Sequence, residues 1–151
     1  MNRLEISKWL FLSVAKHFTE NISGITINVE GVERDLDNQK DWIEVRIDGP
    51  DISEPSQNVF IVDCRINLLV ATNIDPNNLV GHFVNVGKAI NAFTDFGVYR
   101  YSDDGTLVGV MALKPLQDTN DRVKVSNMGQ IDPNINMSQT TVEGHFKMSL
   151  S

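Results

Sequence analysis

The sequence predicts a single α+β domain in which two helices pack on a mostly antiparallel β-sheet. Three observations carry this prediction: two segments with helical apolar spacing, several segments in which apolar and polar residues alternate, and a length of 151 residues, that of one ordinary domain. Alternation is typical of sheets with one buried and one solvated face. The segments follow the order α-β-β-β-α-β-β-β-β, for which two helices against one sheet is the economical packing.

The first helix is predicted over residues 3–22, and Ser23 with Gly24 ends it. Ile6, Trp9 and Leu12 lie outside its main apolar stripe, so we expect these three side chains to contact another subunit, where aromatic anchors dominate the binding energy. The stripe itself spans about 100° on a helical wheel and is the expected core side of the helix. Its members are Leu4, Phe11, Val14, Ala15, Phe18 and Ile22.

Three strands are predicted next, over residues 25–29, 42–48 and 59–72. Gly49 and Pro50 are expected to end the second strand, and the polar residues 51–58 are predicted to form a surface loop. The third strand carries a polar row on one face, formed by Asp63, Arg65 and Asn67. This row predicts ion pairs with a neighbouring strand or another subunit, and the alternative is the floor of an active site.

The second helix is the clearest element. Asp75 is a good N-cap, Pro76 suits the first helical position, and the apolar spacing continues to about Thr94. Five residues within about 80° on a helical wheel form the predicted core stripe of this helix. They are Leu79, Phe83, Val86, Ile90 and Phe93.

Four strands complete the predicted domain, which spans residues 1–151. Residues 98–101 and 106–114 form a predicted hairpin, and another strand covers residues 122–128. A polar arm or loop is predicted at about residues 127–140, before a last alternating strand over residues 141–150.

Composition excludes several classes of function. Thirteen basic and twenty acidic residues give a net charge of −7, which argues against a surface that binds phosphate backbones. No apolar run approaches the ~18–20 residues of a membrane span, and charged residues from Glu5 onward interrupt any signal-peptide core. The one cysteine, Cys64, excludes an intramolecular disulfide and is predicted to be buried and inert. We therefore expect no association with membranes.

The histidines are dispersed. His17 and His82 lie on different predicted helices and His145 lies on the last strand, without an H-x-H or H-E-x-x-H pattern. We expect no catalytic residue, no cofactor and no metal, and a protein that is not an enzyme. The segment D-P-N-N-L-V-G-H-F at residues 75–83 is nevertheless similar to the central helix of hot-dog thioesterases and hydratases. That resemblance implies an alternative enzymatic site at Asp75, Asn78 and His82, and a small adaptor or binding domain is a further alternative.

Acidic residues are concentrated between Glu30 and Glu54. This stretch holds nine acidic and three basic residues, so it alone carries a charge of −6. One interpretation is a solvated rim, and the other is a surface that repels a polyanion or meets a basic partner. The residues assigned to an acidic lumen or rim are Glu33, Asp35, Asp37 and Asp41.

In element order, size and acidity, with the segment W-I-E-V-R-I at residues 42–47, the chain resembles the tail terminators and tail-completion (neck) proteins of tailed bacteriophages. The resemblance implies a ring, expected to be a homo-hexamer, at the head-proximal end of the tail. It also implies contacts with the tail-tube protein and with the neck or connector protein, while DNA passes through the lumen without specific binding. The expected location is the virion, after assembly in the host cytoplasm.

Overall fold

The computed structural model of the protein describes residues 3–30, 41–73, 79–100, 105–114, 123–132 and 137–151. Within these residues the chain forms two helices and a seven-stranded sheet, and the predicted fold class and element order are confirmed. Neither helix is long and apolar enough to cross a membrane. The elements are α1 (Arg3–Asn21), β1 (Thr26–Val29), β2 (Asp41–Ser56), β3 (Val59–Asn73), α2 (Leu79–Asn91), β4 (Phe96–Tyr99), β5 (Leu107–Lys114), β6 (Val123–Asp132) and β7 (Met137–Leu150).

The strands lie in the order β1-β2-β3-β7-β5-β4, and β6 pairs with β7. Among the described strands, only β1 and β2 pair in parallel, so the sheet is mostly antiparallel. β3 and β7 are central and pair along their whole shared length, from Phe60 opposite Leu150 to Asn73 opposite Met137. These two strands provide the residues that α2 contacts.

The sheet has two different faces. The helix face carries Val62, Leu68 and Phe146, which are fully buried, and both helical regions pack on it. Phe93, which follows α2, stacks on Phe146 of β7 and meets Phe18 of α1 edge-on, with ring centroids 6.0 and 5.4 Å apart. The opposite side, which we name the open face, carries the polar row of β3. One hydrophobic core therefore lies between the helices and the helix face.

The side chains of Ile6 and Trp9 lie in this core. Ile6 is inaccessible to solvent and Trp9 is 6% exposed, with the guanidinium carbon of Arg100 5.2 Å from the Trp9 ring centroid. The prediction that Ile6 and Trp9 contact another subunit is therefore wrong, because the fold of the chain itself covers them. Leu12 is half-buried, and its contact with another subunit stays a prediction.

α1 is rotated relative to its predicted stripe. Leu4 is 80% exposed and Phe11 is also exposed, although the helical wheel places both in the core. The rotation buries Ser13, whose hydroxyl accepts a hydrogen bond from the backbone N–H of Tyr99 at 3.0 Å. A buried N–H needs an acceptor, and this contact helps to set the orientation of the helix on β4.

β2 continues through Gly49 and Pro50, where the sequence predicted its end. A bulge between Asp48 and Asp51 accommodates the two residues, so the missing N–H of Pro50 interrupts no regular ladder. Residues 51–56 are then the second half of β2, and Gln57 with Asn58 form the turn into β3. The surface loop predicted for residues 51–58 is thus corrected to the end of a strand and a tight turn.

The polar arm predicted at about residues 127–140 is also corrected. β6 extends to Asp132 and β7 begins at Met137, and these residues are register partners. Gly129, with φ of 71°, lies at a register shift in β6 where an L side chain would be strained. Most of the predicted arm is therefore the paired ends of two strands.

Candidate functional site

α2 presents its more apolar side to solvent. We name the exposed residues the outer face of α2. They are Val80, Phe83, Val84 and Ile90, with exposures of 72, 61, 52 and 38%. The opposite side of the helix carries His82 and Asn85, which are both buried, and Ala89, which is inaccessible. A side chain as small as alanine lets the helix lie close to the sheet.

The predicted core stripe of α2 is therefore partly wrong. Val86 and Phe93 are buried as predicted, but Phe83 and Ile90 point to solvent. The side chain of Leu79 lies outside the described part of the chain. Hydrophobicity favours Phe83 for the core, so the orientation found must have another cause, and it lies in the polar contacts beneath the helix.

Asn85 anchors one end of these contacts. Its side-chain amide nitrogen donates to Asp41 Oδ2 at 3.2 Å and to Thr72 Oγ1 at 3.1 Å. Because a carboxylate only accepts hydrogen bonds, Asp41 fixes which end of the Asn85 amide faces β2. The other oxygen of Asp41 accepts from the backbone N–H of Asn73 at 3.1 Å. Asp41 thus holds α2 to the start of β2 and the end of β3.

His82 continues the network. Its Nδ1 lies 2.8 Å from Thr72 Oγ1, and its Nε2 lies 2.8 Å from Thr140 Oγ1. Thr140 donates its one hydroxyl proton to Asn127 Oδ1 at 3.1 Å, so Thr140 accepts from His82, and Nε2 carries the ring proton. Thr72 then donates to the bare Nδ1 of His82. The hydrogen bonds run in one direction from Asn85 to Asn127.

This network favours a neutral His82. Burial lowers the pKa of His82, and the nearby charge of Asp41 opposes that shift more weakly. A protonated ring would carry a second N–H toward Thr72 and would leave the hydroxyl proton of Thr72 without the acceptor that it has on Nδ1. Both ring nitrogens of His82 are occupied by hydroxyl groups inside the interface between α2 and the sheet, so His82 is not poised to take a proton from a substrate.

Of the three residues of the hot-dog alternative, His82 is buried, while Asp75 and Asn78 lie outside the described residues. Among the described residues, no three His, Cys, Asp or Glu side chains come close enough to hold a metal ion. A cavity of about 300 Å³ between α1 and β2 is lined by no residue of α2. The lining residues are Ser7, Leu10, Phe11, Glu30, Ile47, Gly49 and Pro50.

A second apolar patch lies on the open face. We name Tyr99, Leu107 and Val110 the open-face patch; their exposures are 36, 52 and 50%. Val110 lies opposite Gly97 in the pairing of β4 with β5. The register shift that follows Val98 in this pairing turns Leu107 toward Gly97. A Cβ at Gly97 would lie 2.9 Å from both Leu107 Cδ1 and Tyr99 Cε2, so only glycine leaves room for these side chains.

The acidic residues differ in their surroundings. Glu33, Asp35 and Asp37, assigned to a lumen or rim, lie outside the described residues. Asp41 is half-buried and its two oxygens accept hydrogen bonds within the chain, and its place at a lumen or rim stays a prediction. Among the described residues of this stretch, the exposed carboxylates are Glu30 and, at the far end of β2, Asp48, Asp51 and Glu54. Sequence analysis did not single out the three on β2.

The other candidate residues have structural surroundings. Cys64 is buried as predicted, and burial, assisted by the charge of Asp63, raises the pKa of its thiol to about 12. Asp63 Oδ1 lies 3.6 Å from Nε2 of His145 on β7, which confirms a cross-strand partner for the polar row. The ring of His17 stacks on Phe96, and its Nε2–H donates to the backbone carbonyl of Ala92 at 2.9 Å. These histidines hold elements together.

Comparison with known proteins identifies no relative. The chain matches no protein-family model, and no curated protein is significantly similar to it. Functional assignment therefore depends on the surfaces and charges of the chain itself.

Proposed function

We propose that the protein is a structural subunit of a virion and acts as the tail terminator of a tailed bacteriophage. In this role a homo-hexameric ring caps the head-proximal end of the tail tube and joins it to the neck or connector. DNA passes through the lumen and is not bound specifically. The subunit is made in the host cytoplasm and ends in the virion.

The observation that carries the proposal is the exposed outer face of α2. An isolated subunit would be stabilised by burying Phe83 and Ile90, because buried apolar side chains contribute about 1.5–3 kcal/mol each. The chain instead buries His82 and Asn85 and satisfies them with hydrogen bonds. Contiguous exposed apolar surface of this kind marks contact sites with other proteins. A helix held in this orientation is expected of a subunit whose outer face is covered in an assembly.

The charge of the chain supports the terminator role in particular. Asp48, Asp51 and Glu54 are exposed on one hairpin arm, and Arg65, the register partner of Asp48, offsets one of these three charges. Carboxylates that border a channel repel phosphates over about 8 Å at physiological salt, so DNA slides past without being held. The order of helices and strands, which resembles that of tail terminators, agrees with this role.

No enzymatic activity is part of the proposal. A general base needs access to its substrate, and the ring nitrogens of His82 contact Thr72 and Thr140 instead. The thiol of Cys64 is buried and protonated at neutral pH, which removes the nucleophilic thiolate. An adaptor domain would also use an exposed apolar face, and it differs from a terminator in having no need to form a closed ring.

The test combines native mass measurement, negative-stain imaging and a tube-capping assay. Wild-type protein should form a closed six-fold ring, and adding it to polymerising phage tail-tube protein should stop tube growth and leave a ring at one end. Val84→Glu should break the ring and abolish capping, because it places a charge in the interface. Leu4→Glu is the matched control, since Leu4 is also apolar and exposed but lies on α1. Tubes that grow unchanged beside the wild-type protein would refute the terminator role.

A further inference from the structure

We infer that the outer face of α2 on one subunit binds the open-face patch of a second copy of the chain, so that subunits join head to tail. The inference rests on the proposed function and deepens it by naming the two surfaces of one subunit junction. It depends on the position, the area and the charge of these surfaces.

The two surfaces lie on opposite sides of the sheet. His82 and Asn85 place α2 on the helix face, through Thr72 of β3 and Thr140 of β7. Val110 lies on the open face, because its neighbour Met111 is buried on the other side of β5. Two different surfaces on opposite sides of one subunit cannot satisfy each other across a two-fold axis. They form a heterologous contact, which repeats from copy to copy and closes into a ring when the rotation allows.

The apolar areas match what such a junction needs. With side chains of ordinary size, the fractional exposures given above correspond to roughly 400 Å² of accessible surface on the outer face. The same conversion gives roughly 250 Å² on the open-face patch. A standard interface buries about 1,600 Å² in total, of which about 56–65% is apolar. The two surfaces together supply about two thirds of that apolar area. Flanking residues need to supply only the remainder, so a second copy is a sufficient partner.

Charge favours contact at these surfaces over others. Every copy carries −7, so two copies repel where their acidic residues approach. None of the residues of the outer face or the open-face patch is charged. A cation borders the patch, since Lys16 Nζ lies 5.6 Å from the Tyr99 ring centroid. A cation beside an apolar patch attracts an acidic copy of the same chain.

Shape supports the same pairing. Gly87 lies on the exposed side of α2 between Phe83 and Ile90, and a Cβ placed on it would meet no atom within 4 Å. The outer face therefore has a notch at its centre. Leu107 is the most exposed residue of the open-face patch and stands over Gly97. A projecting leucine against a notch is the complementarity that a packed interface core requires.

The experiment uses one charged variant on each surface and mixes them. Val84→Glu removes the outer face, Val110→Glu removes the open-face patch, and Leu4→Glu is the control at an unrelated exposed position. Each of the first two should shift the native mass from ring to monomer, while circular dichroism stays that of the wild type. An equimolar mixture of the two should give a heterodimer and nothing larger, because it restores one intact junction and no second one.

Other results would overturn the inference. Two variants that both keep the ring, or a mixture that stays monomeric, would show that these surfaces do not meet. A Val110→Glu variant that still oligomerises beside a monomeric Val84→Glu would indicate that the outer face contacts itself or another site. If Val84→Glu does not fold, Val80→Glu takes its place, since Val80 is the most exposed residue of the outer face.

Failure of the inference is distinguishable from failure of the proposed function. A wild-type ring that caps tail tubes while both variants keep that ring retains the terminator role and removes this junction. A heterodimer from the mixture, beside tubes that grow unchanged, retains the junction and removes the terminator role.

Discussion

His82 and Phe83 are neighbours in sequence, yet His82 is 4% exposed and Phe83 is 61% exposed. The larger hydrophobic gain would come from the reverse arrangement. Polar groups decide the outcome because Thr72 and Thr140, on adjacent central strands, are themselves buried and need partners. His82 reaches both hydroxyls at once. The orientation of α2 is thus set by hydrogen-bond satisfaction.

Phe83→Ala should change the free energy of unfolding of the isolated subunit by less than about 0.5 kcal/mol, because its side chain is exposed. Phe93→Ala should lower it by about 3–5 kcal/mol, because Phe93 packs between Phe18 and Phe146. Urea unfolding of both variants under conditions where the subunit is monomeric measures the difference. Equal losses for the two would mean that α2 is turned the other way.

The stability of the wild type should fall as the pH drops below about 6.5, the ordinary pKa of histidine. Burial lowers the pKa of His82 in the folded state, so the unfolded chain binds a proton in a range where the folded chain does not. Stability contributed by neutral His82 is therefore fully present above pH 6.5 and is lost toward the lowered pKa. Urea unfolding at about pH 7 and pH 5 should show a smaller loss for His82→Gln than for the wild type. If the wild type and His82→Gln lose the same free energy of unfolding between the two pH values, His82 is not the cause of the pH dependence.

Two glycines should respond oppositely to substitution by alanine. Gly87→Ala should raise the free energy of unfolding by about 0.5–1 kcal/mol, since the position is helical and open. Gly144→Ala should lower it by about 1–3 kcal/mol, because the new Cβ would clash with the ring of Phe93. Thermal unfolding compares them. Adding Phe93→Leu to Gly144→Ala should recover part of the lost free energy of unfolding. If it recovers none, the new Cβ does not clash with Phe93.

The Cys64 thiol of the folded protein should not react with a disulfide reagent at about pH 8. Its pKa is raised to about 12, so almost no thiolate is present, and the sulfur is also buried. The absorbance of the product that the reagent releases should correspond to one reactive thiol per chain only after the protein is unfolded in guanidinium chloride. Rapid reaction of the folded protein would contradict the burial of Cys64.

Replacing Asp48, Asp51 and Glu54 by lysine should give the assembled protein salt-sensitive affinity for duplex DNA. At about 0.1 M salt it should bind roughly 10-fold more tightly than a control that carries lysine at three acidic positions on other elements. The control positions are Glu5 and Glu20 of α1 and Glu143 of β7. Filter binding over a range of salt concentrations provides the comparison. Equal affinities would place the hairpin outside the lumen.

Much of the fold follows from local pattern. Alternation predicts β7 well, since Val142, Phe146, Met148 and Leu150 are all buried, and helical spacing places both helices in the right part of the chain. The sequence predicts a strand end at Pro50, because it does not show that a bulge will accommodate this residue.

The local sequence pattern does not predict how each helix is rotated about its own axis. The partners of His82 are 10 and 58 residues away, and Ser13 meets a backbone group 86 residues away. The burial of a polar side chain depends on such distant partners, so a helical wheel ranks Phe83 above His82 and Phe11 above Ser13. A signal did exist in the sequence. His82 and Asn85 are three residues apart, and Thr72 stands at an inward position of a predicted strand, whereas Thr140 falls in the predicted polar arm.

The network beneath α2 separates the residues that fold the chain from those that recognise a partner. His82, Asn85 and Ala89 attach the helix, whereas Val80, Phe83, Val84 and Ile90 are exposed and Phe83 contacts only the neighbouring ring of His82 among the described ring contacts. Substitutions at these four positions can accumulate without unfolding the subunit. Related chains are therefore expected to diverge fastest in what they bind while they keep the same backbone. Specificity could be transplanted between such chains by exchanging four side chains on one helix.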